Sequence, residues 1–289
     1  MFEQVEAFYR PASVRQAVRL LQGCKGEARV VAGGTDVVVE ADRAVRFLID
    51  ITRAGLSYIR VRDGACVIGA TTTISSLEES AIIRGLAGGL IARAAATCGS
   101  VQVRNLATLG GNMANGSPAA DLATVLLALD AEVVVAGSAG RKKLPVAEYL
   151  TRGAEGSLRK SLLVEAIAPR PPGGKRRGWS FLKLARTALD ISLVNVAAGL
   201  QLDAAGRVQW ARIALGAVAP TAIRAHAAEE KLIGRKLDRA LLAGACEAVM
   251  NEVSPIDDLR ASAAYRRRMS GLLVGRAVEE CAAQAGCAL

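Results

Sequence analysis

Val30-Val31-Ala32-Gly33-Gly34-Thr35-Asp36 and Thr108-Leu109-Gly110-Gly111-Asn112 are two glycine turns, each running from an apolar stretch into a loop of small residues. With no Cβ at paired glycines, backbone N–H groups can close around an anion. A turn that opens a helix adds the positive end of the helix dipole. One such loop suits one phosphate. Two in a single domain suit a pyrophosphate, as in a dinucleotide cofactor. A lone Gly-Gly pair is equally well a tight turn, so the inference rests on two pairs with matching flanks. Together they point to a chain that holds a cofactor, not one that cuts or joins a substrate with its own side chains.

Outward from the first turn, Ser13-Val14-Arg15-Gln16 is a capping-box pattern. Val14, Ala17, Val18 and Leu21 give the helix it opens an apolar stripe, and Gly23 stops it. Strands are predicted over 29–31 and 47–51. Residues 58–62 and 65–69 flank Asp63-Gly64, a strong hairpin signal. Residues 76–80 and 86–98 read as helical. The stretch 99–118 is polar and rich in glycine and asparagine, without a period. It reads as a long ordered loop or a chain of turns, a feature that is usually functional. A helical pattern resumes over 119–128 with Asp121 in its first turn, and strands follow at 131–136 and 162–167. Pro169-Arg170-Pro171-Pro172-Gly173-Gly174 can be neither helix nor central strand and marks a boundary. Beyond it come strands at 179–185, 191–202 and 208–218, then helices at 222–233, 237–253 and 261–285. Strands followed by helices indicate an α+β second domain.

Composition narrows the function. At 289 residues, 52% apolar and 22% charged, the chain is a folded protein of one large or two ordinary domains. No run approaches the roughly 18 apolar residues of a membrane span. Met1-Phe2-Glu3-Gln4-Val5-Glu6 is not a signal peptide, so the expected location is the cytoplasm. The six cysteines include no C-x-x-C pair and read as reduced, mostly buried thiols. His226 is the single histidine, which removes most His-based metal sites and triads. The net charge of +10 is spread along the chain with only 3% aromatics, which disfavours nucleic-acid binding. Lys175-Arg176-Arg177 and Arg266-Arg267-Arg268 are local clusters that read as partner docking or solvated surface.

The run from Arg104 to Asp121 fits R-N-x-x-T-x-G-G-N-x-x-N-x-S-P-x-A-D, and Ala32–Asp36 reads A-G-G-T-D. With A-G-G-T-D first in the chain, the two motifs resemble the FAD-binding subunit of the molybdenum hydroxylases, the family of xanthine dehydrogenase and carbon monoxide dehydrogenase. The resemblance covers nearly the whole chain. It takes in Phe181-Leu182-Lys183, Leu189-Asp190-Ile191-Ser192 and Arg260-Ala261-Ser262-Ala263-Ala264-Tyr265-Arg266. With Ala188, the Leu189–Ser192 segment and the C-terminal pattern look closest to bacterial xanthine dehydrogenase-like subunits. The resemblance implies an α+β fold in two domains, 1–172 and 173–289. The first is a two-part FAD domain of the p-cresol methylhydroxylase and vanillyl-alcohol oxidase type, split near residue 53. The second is a smaller three-stranded sheet with helices.

Residues expected to bind FAD are Val30, Val31, Ala32, Gly33, Gly34, Thr35, Asp36 and Val37 in the first loop. Gly99, Thr108, Gly110, Gly111, Asn112 and Asp121 follow in the second segment, with Leu163 before the linker and Lys183 beyond it. Backbone N–H groups of residues 32–36 are expected on one side of the pyrophosphate, and those of 110–112 on the other. Asp121, an acceptor when ionised, is expected to meet a ribityl, ribose or adenine donor, or else to serve the helix dipole. Arg104 and Asn105 either contact the cofactor or brace the loop. Lys183 matches a family position close to the flavin, or is an exposed strand lysine.

No His or Cys stands where a covalent flavin bond would form, so FAD is expected to be non-covalent. The cysteine-rich insertion of benzoyl-CoA-reducing relatives is missing after Asp121. The resemblance places molybdopterin in a large partner subunit and [2Fe–2S] clusters in a small one. NAD+ or another acceptor takes the electrons, and substrate choice lies with the large subunit. The alternatives are a stand-alone flavin oxidase or reductase, and a scaffold subunit without FAD.

Overall fold

The computed structural model describes residues 4–171, 173 and 175–287. Met1, Phe2 and Glu3 of the N-terminal reading, and Pro172 and Gly174 of the proline-rich boundary, lie outside the described residues. Near the N-terminus, β1 (Ala7–Tyr9) precedes α1 (Val14–Gly23). The Ser13 hydroxyl caps α1 by accepting from the Gln16 N–H, and Ala17 and Leu21 are its buried face. Then come β2 (Glu27–Val31), α2 (Val37–Glu40) and β3 (Val45–Asp50). The strands form a parallel sheet in the order β1-β3-β2. Because β2 is an edge, its C-terminal end delivers the first glycine loop to open space.

The next unit opens with β4 (Ile59–Arg62) and β5 (Ala65–Gly69). Asp63 and Gly64 between them have φ of 51° and 77°, the left-handed pair that the hairpin signal requires. Helices α3 (Ile74–Glu79), α4 (Ala81–Arg84) and α5 (Leu90–Ala96) follow. The expected single helix over 86–98 is interrupted by a 3₁₀ turn at Ala87–Gly89, where Gly88 and Gly89 are left-handed.

The stretch 99–118 is not the period-less loop its composition suggests. It holds α6 (Val101–Leu106) and α7 (Leu109–Ala114), opened by the hydroxyls of Ser100 and Thr108. Each has six residues, too short for a period to show in the sequence. After α8 (Asp121–Ala128) come β6 (Glu132–Gly137), β7 (Gly140–Pro145), α9 (Val146–Ala154) and β8 (Leu162–Ala168). The sequence reading missed β7 because Arg141-Lys142-Lys143 hides it. That composition suits a solvent-exposed edge, and β7 is the edge of the antiparallel sheet β4-β5-β8-β6-β7.

The C-terminal unit contains β9 (Arg177–Leu184), β10 (Val194–Leu202), β11 (Val208–Gly216) and β12 (Ile223–Arg224). Its described residues form a four-stranded antiparallel sheet, ordered β12-β11-β10-β9, where three strands were expected. Ile223 and Arg224 pair with Leu215 and Ala214, so the helix expected from 222 starts later. It is α10 (His226–Leu232), followed by α11 (Arg239–Glu252) and α12 (Ala263–Gln284).

Every residue of α8 is buried, because it packs on α5 and also on β10 and β11. One apolar core runs through the first two units and takes in Trp179, Phe181 and Ala197 from the third. At this seam an alanine Cβ at Gly199 would stand 2.3 Å from the Trp179 ring, so only glycine admits the indole. A second core lies wholly within the C-terminal unit.

Candidate functional site: a cleft shared by three units

The first glycine loop presses on the C-terminal end of α6. A Cβ on Gly33 would lie 1.9 Å from the Leu106 carbonyl oxygen, and Gly34 is left-handed at φ 71°. Bent this way, the loop leaves the N–H groups of Gly33, Gly34, Thr35 and Asp36 without a hydrogen-bond partner among the described residues. They are a row of donors at the end of a strand, which is the composition of an anion cradle.

The second glycine pair is arranged differently. Gly110 and Gly111 are in the first turn of α7, and their donors are already used. The Gly110 N–H donates to the Ala70 carbonyl at 2.8 Å, and the Asn112 N–H to the Thr108 carbonyl at 2.9 Å. The Gly111 N–H donates to the Thr108 hydroxyl at 3.1 Å. This corrects the expectation of a second backbone cradle: the hydroxyl cap and the packing on Ala70 take those groups. The α7 end offers surface and a side chain. A Cβ on Gly111 would meet only Thr108 Oγ1 at 3.1 Å, and Asn112 Oδ1 is buried without a partner among the described residues.

A third element comes from across the domain boundary. Asp121, at the start of α8, is 4% exposed. Its Oδ2 accepts from Lys183 Nζ at 2.8 Å, and its Oδ1 accepts from Ser192 Oγ at 2.7 Å and Asn195 Nδ2 at 2.6 Å. Lys183 Nζ also donates to the Thr97 carbonyl at 2.9 Å. Thr124, one turn along α8, donates to Asn195 Oδ1 at 2.8 Å. Asp121 therefore organises three donors of the second domain, and Lys183 is a paired, nearly buried cation and not a free strand lysine. The Cys98 thiol faces the same carboxylate at 3.9 Å. Burial, with that carboxylate alongside, pushes the thiol far above its ordinary range. Burial also raises Cys281 to about 12. Only the thiolate alkylates. Iodoacetamide at pH 8 is thus expected to leave both thiols unlabelled in the folded chain and to label them in urea, as read by peptide mass spectrometry. Labelling of Cys98 before unfolding would contradict its placement.

These pieces wall one cleft of about 860 Å³, within the usual range for cofactor sites. Val30, Ala32, Gly33, Gly34, Thr35, Asp36, Val37, Gly99, Thr108, Gly111, Asn112, Asp121, Leu163 and Lys183 all line it. Two expected residues do not. Val31 is held in the sheet, paired with Asp50 and accepting from the Ile51 N–H, and Gly110 faces Ala70. Arg104 and Asn105 brace the wall: Arg104 bonds Glu78 and the Gly99 carbonyl, and Asn105 accepts from Ser75. Sequence reading missed Cys98, Ser117, Arg159 and Ser161 as lining residues. Residues 189–192, which carry part of the family resemblance, form one rim of the cleft. Among the described residues no group of three or more His, Cys, Asp or Glu could hold a metal ion.

Residues 2–170 match the family described as the FAD binding domain in molybdopterin dehydrogenase, and residues 179–281 match the CO dehydrogenase flavoprotein C-terminal domain. The chain belongs to the FAD-binding subunits of the molybdenum hydroxylases. It is an oxidoreductase component whose cofactor is FAD. The xanthine dehydrogenase FAD-binding subunit of Escherichia coli O157:H7 is 33% identical over 287 residues, covering 97% of each chain. The structure superposes on a chain of carbon monoxide dehydrogenase from Hydrogenophaga pseudoflava with a TM-score of 0.89 at 31% identity, covering 100% of both. A chain of quinoline 2-oxidoreductase from Pseudomonas putida 86 gives a TM-score of 0.88 at 27% identity, covering 99% of both.

The cleft fits the family's cofactor on this structure's own terms. Unpaired N–H groups suit its pyrophosphate, and the buried Asn112 Oδ1 needs a donor that the described residues do not supply.

Proposed function

We propose that this chain is the electron-transfer subunit of its complex, placed between [2Fe–2S] clusters of a small partner subunit and NAD+ or another acceptor. A large partner subunit carries the molybdenum cofactor and hydroxylates the substrate. The observation that supports this is a cleft whose one buried carboxylate is already paired, its other carboxylates being exposed (Glu27, Asp36 and Asp42) or bound to Arg186 (Asp190). Its buried carboxylate and ammonium, Asp121 and Lys183, neutralise each other. General acid–base catalysis needs a positioned side chain free to move a proton. Bound FAD supplies the ability to accept electrons singly and release them in pairs. The chain's own residues do the rest. The N–H groups of residues 33–36 hold the pyrophosphate, Asn112 accepts a hydrogen bond from the cofactor, and the Asp121 network sets the second domain over the cleft.

Binding is non-covalent, consistent with a Cys98 thiol that stays protonated. The fold of residues 1–172 is of the p-cresol methylhydroxylase type, split near residue 53, and 173–289 is the C-terminal domain. The complex is cytoplasmic. No described helix is long and apolar enough to cross a membrane.

The test is the visible spectrum of the purified chain, followed by acid release and mass identification of the cofactor. One free FAD per chain is expected. Gly111→Trp fills the cleft face of α7 and is expected to yield a folded, colourless protein. A Gly111→Trp chain that keeps its FAD would refute the site.

A further inference from the structure

The segment Arg260-Ala261-Ser262-Ala263-Ala264-Tyr265-Arg266 has no residue in the cofactor cleft. It ends in the first turn of α12 at Arg266, which is 5% exposed. Buried guanidinium groups are rare and need partners. Arg266 Nη1 donates to the Ala217 carbonyl at 3.0 Å, and Nη2 lies 2.8 Å from Asp258 Oδ2 as an ion pair. Asp258 accepts in turn from the N–H groups of Arg260 at 2.8 Å and Ala261 at 3.1 Å. The motif therefore fixes the carboxylate that fixes its own last residue. Those two N–H groups, with Arg266 beside them, hold Asp258 at about 2.

Ala217 follows β11, is buried, and has φ 64°, a left-handed backbone that a residue with a Cβ seldom adopts. It is gripped from both sides. Its carbonyl accepts from Arg266, and its N–H donates to the Pro118 carbonyl at 2.7 Å. Ser117 and Ala119, on either side of Pro118, line the cofactor cleft. A second bond reaches this wall, from Asn195 Nδ2 to the Ala119 carbonyl, but it is long at 3.4 Å. A three-residue relay thus runs from the C-terminal helix to the cleft, through a strained residue that has reason to relax when released.

We propose that Arg266 is a positioning residue for FAD, holding the Ser117–Ala119 wall of the cleft through the backbone of Ala217. The proposal rests on this cleft being the FAD site. Without the guanidinium, Ala217 returns to an ordinary φ, its N–H turns away from Pro118, and of the bonds that reach the wall from the second domain only the long one from Asn195 remains.

The experiment titrates FAD into the cofactor-stripped full chain and follows the quenching of flavin fluorescence. Arg266→Met is expected to raise the FAD Kd about tenfold, the effect of one lost hydrogen bond to a charged group. Arg266→Lys is expected to fall between, because one ammonium cannot span both Ala217 and Asp258. Leu273→Ala removes a buried side chain from the same helix. It lowers the melting temperature and is expected to leave the Kd within about twofold of the unmodified chain. Equal losses of affinity in Leu273→Ala and Arg266→Met would reduce Arg266 to a structural residue and overturn the proposal. So would an Arg266→Lys chain that binds as tightly as the unmodified one, which decides the matter should Arg266→Met not fold. Gly111→Trp separates the premises: if it still binds FAD, the cleft assignment has failed; if it does not and Arg266→Met is unaffected, only the relay has failed.

Discussion

Gly33→Ala is expected to cost at least about a hundredfold in FAD affinity and to lower the melting temperature by several degrees. The added methyl would stand 1.9 Å from the Leu106 carbonyl oxygen, 2.5 Å from its carbon and 2.9 Å from the Ala107 nitrogen. All three are backbone atoms at the end of α6, so no side chain can swing aside. The loop must lift, and it carries with it the free N–H groups of residues 34–36. Overpacking of this kind costs about 1–3 kcal/mol of stability. The larger loss falls on affinity, because donors displaced by an ångström no longer converge on one anion. Gly23→Ala is the control: its Cβ meets nothing within 4 Å and its φ is not left-handed. It should leave FAD binding unchanged. A Gly33→Ala chain that binds FAD within about tenfold of the unmodified one would show that the first loop is not the anion cradle.

The position of the site was legible because its constraints are local. Gly33, Gly34, Thr108 and Gly110 are residue choices that backbone crowding, a left-handed φ or a helix cap forces, and such choices survive in a bare sequence. What each loop does was less legible. Both pairs look alike as strings, yet Gly33 and Gly34 sit on a bent strand end with free donors, while Gly110 and Gly111 sit inside α7 with theirs used. The difference comes from the Thr108 cap and the Ala70 contact, and Ala70 is distant in sequence. The hairpin at Asp63-Gly64 and the helix opened by Ser13 were readable for the same local reason. The edge strand β7 and the two-residue β12 were not, because pairing with a neighbour defines them and neither carries an apolar alternation. Residues 191 and 192 read as the start of a strand. They instead form cleft rim up to Ser192, whose hydroxyl is drawn to Asp121 from the other domain. No periodicity encodes a contact across 71 positions.

Asp121→Ala is expected to be the most damaging single change at the domain seam, at about 3–5 kcal/mol, the usual result of removing one member of a buried ion pair. It leaves the Lys183 ammonium, with its side chain 9% exposed, only the Thr97 carbonyl for a partner. It also strips Ser192 of its acceptor and leaves Asn195 Nδ2 only the long bond to the Ala119 carbonyl. Lys183→Met should cost less, about 1–3 kcal/mol, because Asp121 keeps two neutral donors and the methionine chain fills the lysine's path. The double change Asp121→Leu with Lys183→Met should be milder than the sum of the single changes, by a coupling of about 0.5–3 kcal/mol. Urea denaturation of the cofactor-free chain measures these values, and FAD titration of the same proteins assigns the role. A carboxylate that holds the second domain over the cleft loses stability and affinity together. A carboxylate whose main partner is a hydroxyl of FAD would lose affinity in Asp121→Asn while the urea midpoint of the cofactor-free chain stays in place. The three short bonds that Asp121 accepts from Lys183, Ser192 and Asn195 favour the first outcome, and a stable, weakly binding Asp121→Asn would reverse that assignment.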